Sequence, residues 1–404
     1  MVKIDTFAVE RWMDLYENDA TQNLAETCRA SVSLHDLQVL SGSETDLIDY
    51  SQKQVYGAIR GSSVLRSNIA RLYSSRTSDP LRPEDILVTN GAIQANFLGL
   101  YTNVGVGDHV ICQYPTYQQL YSVPQSLGAE VSLWKSSEDQ GWQLDVQELE
   151  SMIKPNTKLI ILNNPQNPTG AVLDREMLQA IVEVARQHDL IIHSDEVYRP
   201  LFHSLNSNQQ DGPPSILDLG YDKVVATSSM SKAFSLAGIR VGWIASRSPA
   251  MIEEFASARD YTIISVGQLD DRVASHTLSS PTVDNLLARN YQLARRNLED
   301  LQAFVREFAW TVSWTRPQAG TTAFLKFAKE GQPVNDVILC ERLMETHGLM
   351  LVPGSLCFGN GRDFRGYVRV GYVPEREVML EGLKALRSFM REWYEHIPVQ
   401  SSSA

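Results

Sequence analysis

Lys232 and Arg240 stand eight positions apart in a mostly apolar stretch, "SSMSKAFSLAGIRVG", running from Ser228 to Gly242. A lysine amine becomes a useful nucleophile when desolvation or a nearby cation lowers its pKa. Arg240 can be that cation, or it can hold an anion, and Ser229 and Ser231 can donate to phosphate oxygens. A lysine at a helix start is also an ordinary surface residue, so this stretch alone does not specify chemistry. Upstream, "IIHSDEVYRPLF" ends a very apolar run on Asp195. A buried carboxylate keeps its charge only beside a partner. Glu196 falls on the opposite face of the same strand, and Tyr198 follows in the loop. His193 alternates with Asp195 and reads rather as a core histidine.

One cofactor asks for this set: pyridoxal 5'-phosphate, with an aldehyde for Lys232, a phosphate for Arg240 and Ser229, and a pyridine nitrogen for Asp195. The phenol of Tyr198 and the amide of Asn167, in "NNPQNPTG" (163–170), can hydrogen-bond the ring oxygen. In "VTNGAIQANFLGL" (88–100) a helix begins at Gly91, Ala92 and Ile93, and its free N–H groups form a phosphate site or an ordinary cap. Tyr117, in "YPTYQQLY", can stack on a flat ring or fill core. Arg369 sits mid-strand in "GYVRVGYV", between valines that point the other way. It needs an anion, either a substrate α-carboxylate gripped by two N–H groups or a structural ion pair.

Elements must carry these residues to one place. Runs at 85–90, 109–115, 129–134, 158–165, 190–196, 223–229 and 241–246 are dense in Val and Ile and read as strands. Helical patterns such as 174–188 alternate with them, which predicts an α/β fold with a mainly parallel sheet covered on both faces. Ligands in such sheets sit beyond the C-terminal strand ends, where this chain puts its polar residues. A long helix from about 284, two strands (321–327 and 366–373) and a last helix (375–393) suggest a smaller α+β domain. The expected division is 46–290 for the large domain, and 1–45 with 291–404 for the small one.

The 404 residues carry a net charge of −12, which argues against nucleic-acid binding. Four scattered cysteines, no 18-residue apolar run and no signal-peptide core point to a cytoplasmic protein without a membrane span. No metal site is assigned, and no basic helix-turn-helix segment is spare for a regulatory role.

The motifs "YGAIRGSSVLR", "TNGAIQA", "PTY", "NNPQNPTG", "SDEVY", "SSMSKAFSLAGIRVG" and "YVRVGY" occur in order over roughly residues 50–375. Together they resemble the class I/II aminotransferases, pyridoxal-phosphate enzymes of fold type I. The resemblance implies a Schiff base on Lys232, Asp195 under the ring nitrogen, Tyr198 and Asn167 at the ring oxygen, and Tyr117 stacked on the ring. It also implies a phosphate site from Ser229, Arg240 and Gly91–Ala92, and Arg369 on the substrate carboxylate. A homodimer follows, with Tyr56 reaching the partner subunit's phosphate. The implied reaction moves an amino group from an L-amino acid to a 2-keto acid. Two departures stand out. Ile93 takes the place of a usual hydroxyl residue at the phosphate site. The front segment from Trp12 carries Glu17, Asp19 and Glu26 and is more weakly similar to the capreomycidine synthase-like branch. That likeness suggests an alternative: a cyclase, lyase or oxidase acting on arginine or a hydroxylated arginine, with Glu17 assigned to the substrate. The plain alternative is that these carboxylates are simply solvated.

Overall fold

The computed structural model describes residues 4–28, 30–43, 47–74, 79–205 and 212–400. Its larger sheet has seven strands: β1 Ile86–Thr89, β2 His109–Tyr114, β3 Glu130–Lys135, β4 Thr157–Asn163, β5 Ile191–Asp195, β6 Val224–Ser229 and β7 Gly242–Ala245. Their spatial order is β1-β7-β6-β5-β4-β2-β3. Neighbours are parallel from β6 through β3, while β7 runs against both β1 and β6. The α/β fold with a mainly parallel sheet is therefore as the alternation of strands and helices required.

Burial on both faces explains why the strands read as nearly unbroken apolar runs. Along β4, Leu159 and Ile161 pack with Leu100 and Tyr121 on one face. Ile160 and Leu162 pack with Leu178 and Ile181 on the other. The helix Arg175–Gln187 supplies the second set. It starts at Asp174, whose carboxylate accepts from the Met177 N–H, and has Arg186 in its last turn, so both helix ends are electrostatically matched.

The helix Thr282–Glu307 links two cores. Val283 and Leu286 pack with the large sheet, and Leu298, Leu301 and Phe304 with a second core. That second core covers a smaller sheet in which Thr322–Lys329 pairs antiparallel with Tyr367–Gly371. The front of the chain, hard to assign from its sequence, contributes to both. Val9, Trp12 and Met13 of the helix Ala8–Tyr16 enter the second core, and Trp12 donates its indole N–H to the Leu351 carbonyl at 2.8 Å. Val32 and Leu37 enter the first. The expected boundary at 45–46 lies outside the described residues.

The register aligns the strand ends that matter. Asn163 pairs with Asp195, and Asp195 with Thr227, two residues before Ser229. Across β7, Gly242 lies against the start of the helix Gly91–Asn103. A Cβ there would sit 2.3 Å from the Gly91 carbonyl carbon and 2.6 Å from the Ala92 nitrogen. Both are backbone atoms and cannot swing aside. Gly242→Ala is expected to destabilise the fold by about 3 kcal/mol and to weaken phosphate-group binding at the displaced helix start. Thermal unfolding of both proteins tests this, and an unchanged Tm would refute it.

Candidate active site

A cavity of about 450 Å³ opens at the C-terminal ends of β4, β5 and β6. Ala92, Ile93, Tyr117, Asn167, Asp195, Tyr198, Ser229, Lys232, Arg240 and Arg369 all line it. Residues up to 277 positions apart in sequence are thus gathered at one rim (Arg369 against Ala92). Gly91 sits just behind, where a Cβ would meet the Arg240 Nη2 at 2.8 Å. Tyr56 lies on the surface, 77% exposed, and outside this chain's cavity. Glu17 is also outside the lining. It ends the helix Ala8–Tyr16, exposed to solvent, because that helix turns its apolar face inward. The substrate role given to Glu17 has no support in this geometry. The carboxylates of the front segment that do line the cavity are Glu10 and Glu26, beside Asp195 from the strand end.

The Lys232 amine donates to Thr27 Oγ1 at 2.5 Å and to Cys28 Sγ at 3.3 Å. Burial opposes its charge, but Cys28, Tyr198 and Glu26 around it outweigh burial and raise its pKa. Of the two roles open to Arg240, the cation that lowers this amine is not the one its contacts favour. Arg240 is occupied elsewhere: it donates to the Ala237 carbonyl at 2.8 Å and to Ser231 Oγ at 3.4 Å. Ser229 Oγ accepts from the Ser231 N–H at 3.2 Å. With the helix start at Gly91–Ile93, this edge is rich in donors and suits a phosphate.

Asp195 is 4% exposed. Its carboxylate accepts from Asn96 Nδ2 at 2.9 Å and from the Val197 N–H at 3.1 Å. Burial dominates and pushes its pKa up to about 6, against the pull of those two bonds and of Lys232. Such a group gains from a cation placed against it, and a protonated pyridine nitrogen is one. His193 behind it is fully buried, and burial pushes its pKa down to about 4. The core reading of His193 agrees with that burial.

Arg369 is 3% exposed. It donates to the Ala25 carbonyl at 2.8 Å and to Asn167 Oδ1 at 3.4 Å, with Phe358 under its guanidinium. Its Nε is buried with no partner. Among the described residues no carboxylate pairs with it, so the structural ion pair is not seen. A buried guanidinium with a spare N–H, facing a cavity, fits a ligand carboxylate. Tyr117 donates its phenol O–H to Glu10 at 2.9 Å and packs on Phe7, ring centroids 4.8 Å apart. Burial first, then Glu10, pushes its pKa up. Tyr198 is buried and raised for the same leading reason.

The residues present fit pyridoxal phosphate: an amine, a buried carboxylate short of a cation, a donor-rich anion edge and a flanking aromatic ring. Sequence reasoning missed Asn96, Thr27, Cys28 and Glu10. Asn96 left a signal, as an amide flanked by apolar residues in the helix Gly91–Asn103. Thr27 and Glu10 left none, because only the packing of the front segment brings them here.

We expect Arg369→Ala to lower kcat/KM for amino acids about 100-fold, mostly through KM, as loss of a charge-assisted pair implies. Steady-state kinetics on protein with an unaltered cofactor spectrum tests this. Wild-type kcat/KM would remove Arg369 from substrate binding.

The family model for aminotransferase class I and II matches residues 13–386. A crystal structure of a PLP-dependent aminotransferase from Streptococcus suis is 40% identical, with a TM-score of 0.87, covering 97% of this chain and 99% of that one. An aspartate aminotransferase from Thermotoga maritima is 29% identical over 335 residues, 82% of each chain. The capreomycidine synthase of Streptomyces vinaceus is 28% identical over 302 residues, 74% of this chain and 73% of its own.

Proposed function

The chain belongs to the aminotransferase class I and II family, and from that premise we propose that it moves the amino group of an L-amino acid to a 2-keto acid. It is a pyridoxal-phosphate-dependent enzyme of fold type I. The observation that carries the finer reading is the convergence of Lys232, Asp195, Asn167 and Arg369 on one cavity. When bound, pyridoxal 5'-phosphate supplies an aldehyde for amine exchange and a ring that accepts electrons from the substrate's α-carbon.

The chain's own residues do the rest. Lys232 Nζ would hold the aldehyde and, once free, would take the substrate's α-proton as general base. Thr27 keeps that amine at the cavity wall. Asp195 would stay ionised to hold the ring nitrogen, Tyr198 and Asn167 would hold the ring oxygen, and Tyr117 would flank the ring. Ser229, Arg240 and the helix start at Gly91–Ile93 hold the phosphate, and Arg369 orients the α-carboxylate so that the α-proton faces Lys232.

A second reading is favoured by Glu10 and Glu26 in the same lining. Their carboxylates suit a guanidinium, and capreomycidine synthase is among the relatives. In that reading the enzyme is a cyclase, lyase or oxidase of arginine or a hydroxylated arginine. A panel of amino donors that includes these, run with and without a 2-keto acid and read by product mass, separates the two. Keto-acid-dependent transfer supports the first. Consumption of an arginine without keto acid supports the second, and neither result would remove both.

The working form is proposed to be a homodimer in which Tyr56 serves the partner's phosphate site. An exposed apolar surface of Val55, Tyr56, Ile59, Phe97, Tyr261 and Ile264 supports this. The segments adjoin, since Gln268 donates to the Val55 carbonyl and Gln94 to Thr262. Covering such a patch is what an obligate interface does. Sedimentation equilibrium is expected to give twice the chain mass, and a single-chain mass would refute it. No described helix is long and apolar enough to cross a membrane.

A further inference from the structure

The group behind Asp195 points to a role that the reaction scheme above does not assign. Asn96 lies in the helix Gly91–Asn103, buried to 1% exposure. Its Nδ2 donates to Asp195 Oδ2 at 2.9 Å. Its Oδ1 receives Thr227 Oγ1 at 2.5 Å and meets His193 Nε2 at 3.0 Å. The opposite amide orientation would set an oxygen against the Asp195 carboxylate and an N–H₂ against the Thr227 hydroxyl, so the network selects one orientation. With Asn96 Oδ1 as acceptor, His193 Nε2 must carry the proton. His193 Nδ1 is buried with no partner, so a second proton there would have nothing to hold it. Gly99 lets the helix close on this imidazole, because a Cβ would lie 2.7 Å from His193 Cε1.

We propose that Asn96 is a positioning residue: Thr227 and neutral, Nε2-protonated His193 lock its amide so that it holds Asp195 as an anion aimed at the cofactor's ring nitrogen. The arrangement works because the lock is made of neutral groups. A charged donor in Asn96's place would neutralise Asp195 and compete with the ring for it. Burial of His193 serves this by keeping the imidazole uncharged. The charged and titratable groups on the other side of Asp195 are Lys232 and Tyr198. On the Asn96 side the titratable group is His193, kept uncharged by burial.

The inference rests on the assignment of Asp195 to the ring nitrogen, and the test keeps the two apart. Asn96→Leu, close in shape but without the amide, is expected to weaken pyridoxal-phosphate affinity of the full-length protein about 10- to 100-fold, the size of a lost bond to a charged group. kcat is expected to fall by a similar factor, with KM for the amino acid within about threefold. Thr227→Val removes one of the two donors on Asn96 and touches neither Asp195 Oδ atom. It is expected to give a smaller loss of the same kind, about three- to tenfold. In the wild-type holoenzyme, ¹⁵N imidazole shifts are expected to report His193 as neutral and Nε2-protonated from pH 6 to 8. A folded Asn96→Leu with wild-type cofactor affinity and kcat would overturn the proposal, as would an Nδ1-protonated or cationic His193. Should Asn96→Leu not fold, Thr227→Val and the imidazole shifts decide by the same criteria. If Asp195→Asn itself leaves cofactor affinity and kcat unchanged, the underlying assignment fails instead.

Discussion

Lys232→Ala is expected to lose turnover by at least about 10⁴-fold. Two contributions vanish together: the covalent hold on the cofactor between turnovers, and the base that takes the α-proton. General acid–base catalysis alone is worth about 10²–10⁴-fold, and a displaced nucleophile adds to it. No neighbour can substitute. Thr27 and Cys28 are the amine's hydrogen-bond partners, but a hydroxyl is far too weak a base. Cys28 is oriented toward the lysine from the front segment rather than from the strand end. The visible absorbance of protein-bound cofactor and borohydride fixation of label to the chain are the measurements. A variant that keeps both the bound absorbance and turnover would sink the assignment.

Asp195→Asn is the second large effect. The substitution keeps size and removes the charge proposed to hold the ring nitrogen protonated, so kcat should fall about 10²–10³-fold, as for loss of one preorganised electrostatic contact. A second readout does not need substrate. In the cofactor-free protein the folded-state pKa of Asp195 is raised to about 6 from 3.8. Between those values the folded state binds a proton that the unfolded state does not. This contribution to stability is complete below about pH 4 and is lost as pH rises through about 6, by at most about 3 kcal/mol. Glu196, Asp218 and Asp336 are raised as well, so the quantity to compare is the difference between wild type and Asp195→Asn. Denaturant titrations from pH 4 to 7 should show wild type losing stability relative to the variant as pH rises. Parallel profiles would mean that Asp195 is not strained by burial.

The raised pKa of Lys232 qualifies a simple expectation. A buried amine in isolation is pushed down, and from the sequence Arg240 is either a cation that would push it further or the holder of an anion. In the structure Arg240 turns to the Ala237 carbonyl and the phosphate edge, and the front segment brings Cys28 and Glu26 to the lysine.

The strands, their parallel arrangement and the rim residues were legible in the sequence because each depends on short-range physics. Unbroken Val/Ile runs need two covering layers, and polar residues after a strand in such a sheet fall at one edge. Lys232, Asp195, Asn167 and Arg369 each follow or interrupt such a run, so type and place could be read together. Three things were decided only in three dimensions. The front helix Ala8–Tyr16 turns Val9, Trp12 and Met13 inward, which brings Glu10 to the cavity and leaves Glu17 in solvent; a helical face shows which residues share a side, not what that side will meet. The segment Leu24–Cys28 reaches Lys232 because Gly371 donates to the Leu24 carbonyl at 2.7 Å, from a strand more than 340 residues away. The amide of Asn96 meets Asp195 because β5, β6 and a helix from before β2 pack at one place. Contacts between segments so distant carry no local pattern, since the energy that selects them comes from burying two surfaces at once.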